Sequence, residues 1–74
     1  MKVEFVITVV GLNRYFTGYE KHTQEPKLRH VNFPDEFISF DSYPEAEKAV
    51  ENILERYEGN DVLRLQIEKH YVKE

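Results

Sequence analysis

Residues 37–59 read FISFDSYPEAEKAVENILERYEG, and this stretch contains a strand, a capped helix start, one amphipathic helix and its stop signal. Ser42 followed three residues later by Glu45 forms a capping box, which satisfies backbone donors that the first helical turn leaves unpaired. Pro44 falls inside that turn, where its missing N–H costs no hydrogen bond and its fixed φ suits the helix. Ala46, Ala49, Val50, Ile53, Leu54 and Tyr57 recur at steps of three and four and so form one apolar stripe. Gly59 and Asn60 tolerate the left-handed conformation that ends helices, so the element stops near Glu58.

Working outward, Glu36 to Phe40 reads as a strand with Ile38 and Phe40 on one side and Phe37 and Ser39 on the other. Beyond the helix, Val62 to Val72 alternates Leu63, Leu65, Ile67 and Tyr71 against Arg64, Gln66, Glu68 and His70. Lys69 falls on the apolar side, so this strand passes the end of the core there. Near the start, residues 3–10 place Val3, Phe5, Ile7 and Val9 on one side and Val6, Thr8 and Val10 on the other. Both sides are mostly apolar, which suits a strand in the middle of a sheet with its second face at least partly covered. Gly11 and Asn13 supply turn chemistry, and Arg14 to Glu20 then reads as the second arm of a hairpin. Residues 21–36, with Pro26 and Pro34, hold no sustained period; Lys27 to Phe33 suits a short edge strand. So long a connection in so small a domain is functional, disordered or misread.

These pieces predict one α+β domain over residues 1–74. It is a two-layer fold: a mostly antiparallel four-stranded sheet with an optional edge strand and one helix packed across one face, in the order strand, strand, optional strand, strand, helix, strand. Phe5, Ile7, Val9, Phe16, Ile38, Phe40, Leu63, Leu65 and Ile67 are expected to meet the helix stripe. A right-handed crossover is expected if the strands flanking the helix run parallel. The strand order is not legible. The strand–cap–helix cassette around Phe40 to Glu47 is similar to units in many small sheet-plus-helix domains; capping explains the likeness, and it identifies no family.

Composition narrows the functions. A chain of 74 residues has room for one small core. It contains no cysteine, which excludes disulfides, thiolate zinc sites and a cysteine nucleophile. No apolar run has the length of a membrane span or the layout of a signal peptide, so the expectation is a soluble cytoplasmic protein with no membrane partner. The net charge is -4, yet Arg14 to Val31 holds four basic residues against two acidic ones. An acidic chain disfavours general nucleic-acid binding, which depends on a dense cationic surface.

Three features suggest surfaces for binding. The sheet face away from the helix is expected to display Val6, Thr8, Val10, Tyr15, Thr17, Tyr19, Phe37, Arg64, Gln66 and His70. Aromatics beside an arginine can stack single-stranded bases, but the same pattern also describes rings that cover a sheet or meet in a homodimer. Lys21, His22, Lys27, Arg29 and His30 form a cationic segment suited to a phosphate or an acidic partner, or only to a surface connection. Glu47, Glu51 and Glu55 form an acidic helix stripe with Glu58 beside them, which is either a docking face or a solvated surface relieved by Lys48 and Arg56.

Catalytic and metal signals are weak. Ser42 is committed to the cap, Ser39 lies in a strand without a strained turn, and the carboxylates line an exposed helix instead of a pocket. His22, His30 and His70 lack metal-ligand spacing, and no glycine-rich phosphate loop is present. The expectation is therefore a non-catalytic binding or regulatory module with no metal and no cofactor. It acts on a protein partner or a second copy through the aromatic sheet face, the sheet edge or the cationic segment. The alternatives are a single-stranded nucleic-acid binder and, third, an enzyme or metal site built from distant residues.

Overall fold

A computed structural model of the chain describes residues 2–30, 37–56 and 64–73. Within them lie the strands β1 (Lys2–Val9), β2 (Tyr15–Tyr19), β3 (Pro26–Arg29) and β4 (Ser39–Phe40), the helix α1 (Tyr43–Arg56) and the strand β5 (Leu65–Val72). This is the expected α+β architecture, an antiparallel sheet with one helix, and the edge strand read as optional is formed as β3.

The strand with two apolar sides occupies the centre. β5 pairs with β1 along its whole length, from Lys2 opposite Val72 to Val9 opposite Leu65. Phe5 faces Lys69 in β5 and Phe40 in β4, while Thr8 faces Gln66 in β5 and Tyr15 in β2. A strand has two edges, so β5 takes one edge of β1 while β2 and β4 share the other. β3 then pairs with β2. The Ile38 N–H donates to the Phe16 carbonyl at 3.0 Å, linking the approach to β4 with β2. Since β4 and β5 are both antiparallel to β1, they run parallel to each other with β1 between them, and α1 connects them.

Four consecutive residues of β1, Val6 to Val9, are buried, as expected for a central strand. On the helix side Ile7, Phe16 and Ile53 form the innermost contacts, with Leu28, Phe40, Ala49, Val50 and Leu65 packed around them. Full burial of one such side chain contributes about 1.5–3 kcal/mol, so in a chain this short a few residues set the stability. The helix begins as its cap dictates. The Glu45 N–H donates to Ser42 Oγ at 3.4 Å, and the Ala46 N–H donates to the Ser42 carbonyl at 3.2 Å. Tyr43 meets Phe5 edge to face at 5.9 Å, which fixes the entry of the helix onto the sheet.

Several boundaries and placements differ from the sequence reading. β1 ends at Val9; Val10 is exposed, although its N–H donates to the Arg64 carbonyl at 2.9 Å. β2 and β4 are shorter than the periodic runs that contain them, because both compete for one edge of β1. Ile38 is 39% exposed and Leu54 is 38% exposed, so both lie at the rim of the core. The segment after β2 is no single long connection. Residues 21–25 turn back tightly, the Glu20 N–H donating to the Glu25 carbonyl at 2.7 Å and the Gln24 N–H to the Glu20 carbonyl at 3.0 Å, and β3 follows directly. Gln24 takes a φ of 60° in this turn. The readings at Val31 to Glu36, Tyr57, Glu58, the Gly59–Asn60 stop, Val62 and Leu63 lie outside the described residues.

Candidate functional site

The sheet face away from α1 is set by alternation from the core. Ile7 points to the helix, so Thr8 points away, and Tyr15, opposite Thr8, points away with it. The Tyr15 and Phe37 rings stack with centroids 4.9 Å apart and planes 24° apart. His70 meets them edge-on at 6.4 Å and 5.5 Å. One ring thus comes from each element flanking β1: β2, the approach to β4, and β5. The trio converges on the face where β1 places Val6 and Thr8, and both of these are buried.

The expected display of this face therefore needs correction at its centre. Val6 and Thr8 are not presented to solvent, and Tyr15 and Phe37 direct their stacking surfaces at each other. The electrostatics are mixed as well. Glu4, opposite His70, lies on this face, and Glu68 Oε2 is 3.3 Å from His70 Nε2. A phosphate backbone would meet carboxylates beside the rings. Arg64 is exposed just ahead of β5.

Tyr19 is the clearest misplacement. Phe16 pairs with Leu28 and Tyr19 with Pro26, so three steps along β2 match two along β3, the signature of a β-bulge. Gly18 takes a φ of +116° within it, a conformation that side-chain-bearing residues rarely adopt. The extra residue turns Tyr19 to the helix side, where its ring meets Phe16 edge-on at 5.2 Å and the Arg56 guanidinium lies 5.9 Å from its centre. Thr17 is half-buried beside β3, and its Oγ1 donates to the Lys27 carbonyl at 3.3 Å. The sequence signal for the turned Tyr19 is Gly18 inside an otherwise regular strand.

The cationic residues do not gather at one point. Lys21 and His22 are exposed in the β2–β3 turn, Lys27 and Arg29 lie on β3, and His30 follows it, 3.3 Å from Asn13 Nδ2. Arg29 is neutralised by Glu20 at 3.1 Å. Arg14 directs its guanidinium at the Leu28 carbonyl at 3.2 Å and so ties the hairpins together. Glu47, Glu51 and Glu55 are exposed along α1.

Clefts flank the sheet on both faces, including one of about 240 Å³ between Glu47, Val50 and Glu51 of α1 and Leu65 and Ile67 of β5. On the helix side, a cleft of about 570 Å³ is floored by Phe16, Tyr19, Phe40 and Ala49, with Ile38 and Lys48 also lining it. It opens where the β2 bulge and the two-residue β4 leave the sheet incomplete beneath α1. On the other side, a cleft of about 270 Å³ is lined by Thr8, Asn13, Arg14, Gln66 and Glu68. Among the described residues the buried Thr8 Oγ1 has no hydrogen-bond partner. Among the described residues no three metal-ligating side chains come together, and no helix is long and apolar enough to cross a membrane.

The remaining surface is the outer edge of β5, which the sequence reading could not locate because the strand order was not legible. β5 is eight residues long and, among the described residues, pairs only with β1. The opposite edge of the sheet is β3, four residues long and headed by a proline, which is a poor template for pairing. Near the end of β5, Tyr71 is 65% exposed and Val72 is 36% exposed, with Gln66 and Lys69 also exposed. No family model, curated protein or solved structure matches the chain.

Proposed function

We propose that the protein is a soluble, cytoplasmic, non-catalytic binding module that accepts an extended segment of a partner along the outer edge of β5. The observation that carries this reading is the eight-residue strand paired, among the described residues, on one side only, with exposed apolar side chains at its end. Strand addition uses the row of unpaired N–H and C=O groups for affinity and alternate side chains for specificity. The aromatic face serves this role indirectly. Its rings link β2, the approach to β4 and β5 across β1, so the edge is held on a rigid layer instead of a loop.

A base-stacking platform is less well supported, because Tyr15 and Phe37 occupy each other and the same face carries Glu4 and Glu68. The deciding experiment is selection from a random linear peptide library displayed on phage, followed by amide chemical-shift mapping of the enriched peptides on the isotope-labelled protein. Enriched peptides are expected to move the resonances of Leu65–Val72 most. Enriched peptides that move only Tyr15 and Phe37, or only the cleft beneath α1, would place the binding site elsewhere.

A further inference from the structure

The proposed edge also carries a charge rule that selects its occupant, and this inference rests on the strand-addition reading. In an antiparallel pair, residues directly opposite each other point to the same face of the sheet. A second copy joining β5 to β5 about a two-fold axis must therefore centre on one residue facing its own equivalent. The registers that overlap most of Leu65–Val72 centre on Glu68 or on Lys69. The first opposes two carboxylates and the second opposes two ammonium groups, and like charges directly opposite are unfavourable. Oppositely charged neighbours at the middle of the strand thus make the central pair repulsive in both registers, a device that edge strands use against their own copies, while the Lys69-centred register also sets each Glu68 opposite the other copy's His70.

The same two residues differ in what they leave for another chain. The Glu68 carboxylate is beside the His70 ring at 3.3 Å. Lys69 is exposed, faces Phe5 across the ladder, and has no carboxylate within ion-pair distance among the described residues. It stands in the helix-side row of β5 between Ile67 and Tyr71. We propose that the partner is an extended segment of another protein that places a carboxylate side chain opposite Lys69. Apolar side chains two residues to either side of that carboxylate lie against Ile67 and Tyr71. The charge supplies register, because a slip of two residues would set the carboxylate against an apolar side chain.

The test uses the full chain and two synthetic peptides of alternating valine and threonine, capped at both ends. The central valine is replaced by glutamate in one and by lysine in the other. At low salt the glutamate peptide is expected to bind about tenfold more tightly than the lysine peptide, as reversal from attraction to repulsion implies. Its shift changes should centre on Lys69. Lys69→Glu should invert the preference and Lys69→Gln should abolish it, with circular dichroism checking that each variant is folded. Equal binding of the two peptides, or a preference unchanged in Lys69→Glu, overturns the charge rule while leaving strand addition standing. Failure of both peptides to perturb Leu65–Val72 overturns strand addition itself. Concentration-dependent broadening of those amides in the chain alone makes a second copy the occupant and also overturns the proposal.

Discussion

Two isoleucines that the sequence treats alike should respond differently to the same truncation. Ile53 is fully buried on α1 against Ile7 and Phe16, whereas Ile38, before β4, is 39% exposed on the rim of the cleft beneath the helix. Ile53→Ala removes the transfer free energy of the lost carbons and leaves a void that its packed neighbours can only partly fill, which costs about 2–5 kcal/mol. Ile38→Ala loses only the buried part of the side chain and opens onto an existing cleft, so little cavity term arises and the cost is about 1 kcal/mol. A domain of this size has a total stability on the order of 4–11 kcal/mol, so the first variant should lie close to the unfolding threshold. In thermal terms, a loss of about 3 kcal/mol lowers Tm by roughly 12–24 °C. Urea melts followed by far-ultraviolet circular dichroism measure both variants, with the denaturant slope checking that the unfolded states are comparable. Equal destabilisation by the two truncations, or a loss under about 1 kcal/mol for Ile53→Ala, would refute the placement of the core.

Two further substitutions test particular features of the sheet. Gly18→Ala meets no atom of the described residues within 4 Å, so its cost is that of holding a φ of +116°; a destabilisation of about 1–2 kcal/mol is expected, and no change in the melt would mean that the bulge is absent. Thr8→Val removes a buried hydroxyl that has no partner among the described residues while keeping the shape, so stability should be unchanged or rise by about 1 kcal/mol; a marked loss in the same urea melt would reveal a hydrogen bond to that oxygen.

Much of this fold is legible in the residues. The capping box at Ser42 and Glu45 fixes the helix start because it acts through two residues of one turn, and the two apolar sides of β1 place it centrally because no other position would bury both. What could not be read depends on competition between distant segments. β2 and β4 are both good strands, yet they share one edge of β1, and this shortens each of them and pushes Ile38 to the rim. Alternation alone puts Tyr19 on the open face, but Gly18 permits one extra residue in the strand and so reverses its side. The one-sided pairing of β5 among the described residues depends on strand order, which no local pattern encodes. The cationic segment looked continuous because its charges are close in sequence, while the turn at residues 21–25 distributes them over a hairpin.

The central claim is that β5 is paired on one side only, and residue-resolved amide hydrogen exchange of the dilute chain tests it most directly. In a one-sided antiparallel ladder every second amide points outward, so protection should alternate along Leu65–Val72. The amides of Phe5, Val6 and Thr8, which have neighbours on both edges of β1, should all be slowed. Uniform protection along Leu65–Val72 would mean that its outer edge is already occupied, contradicting the account.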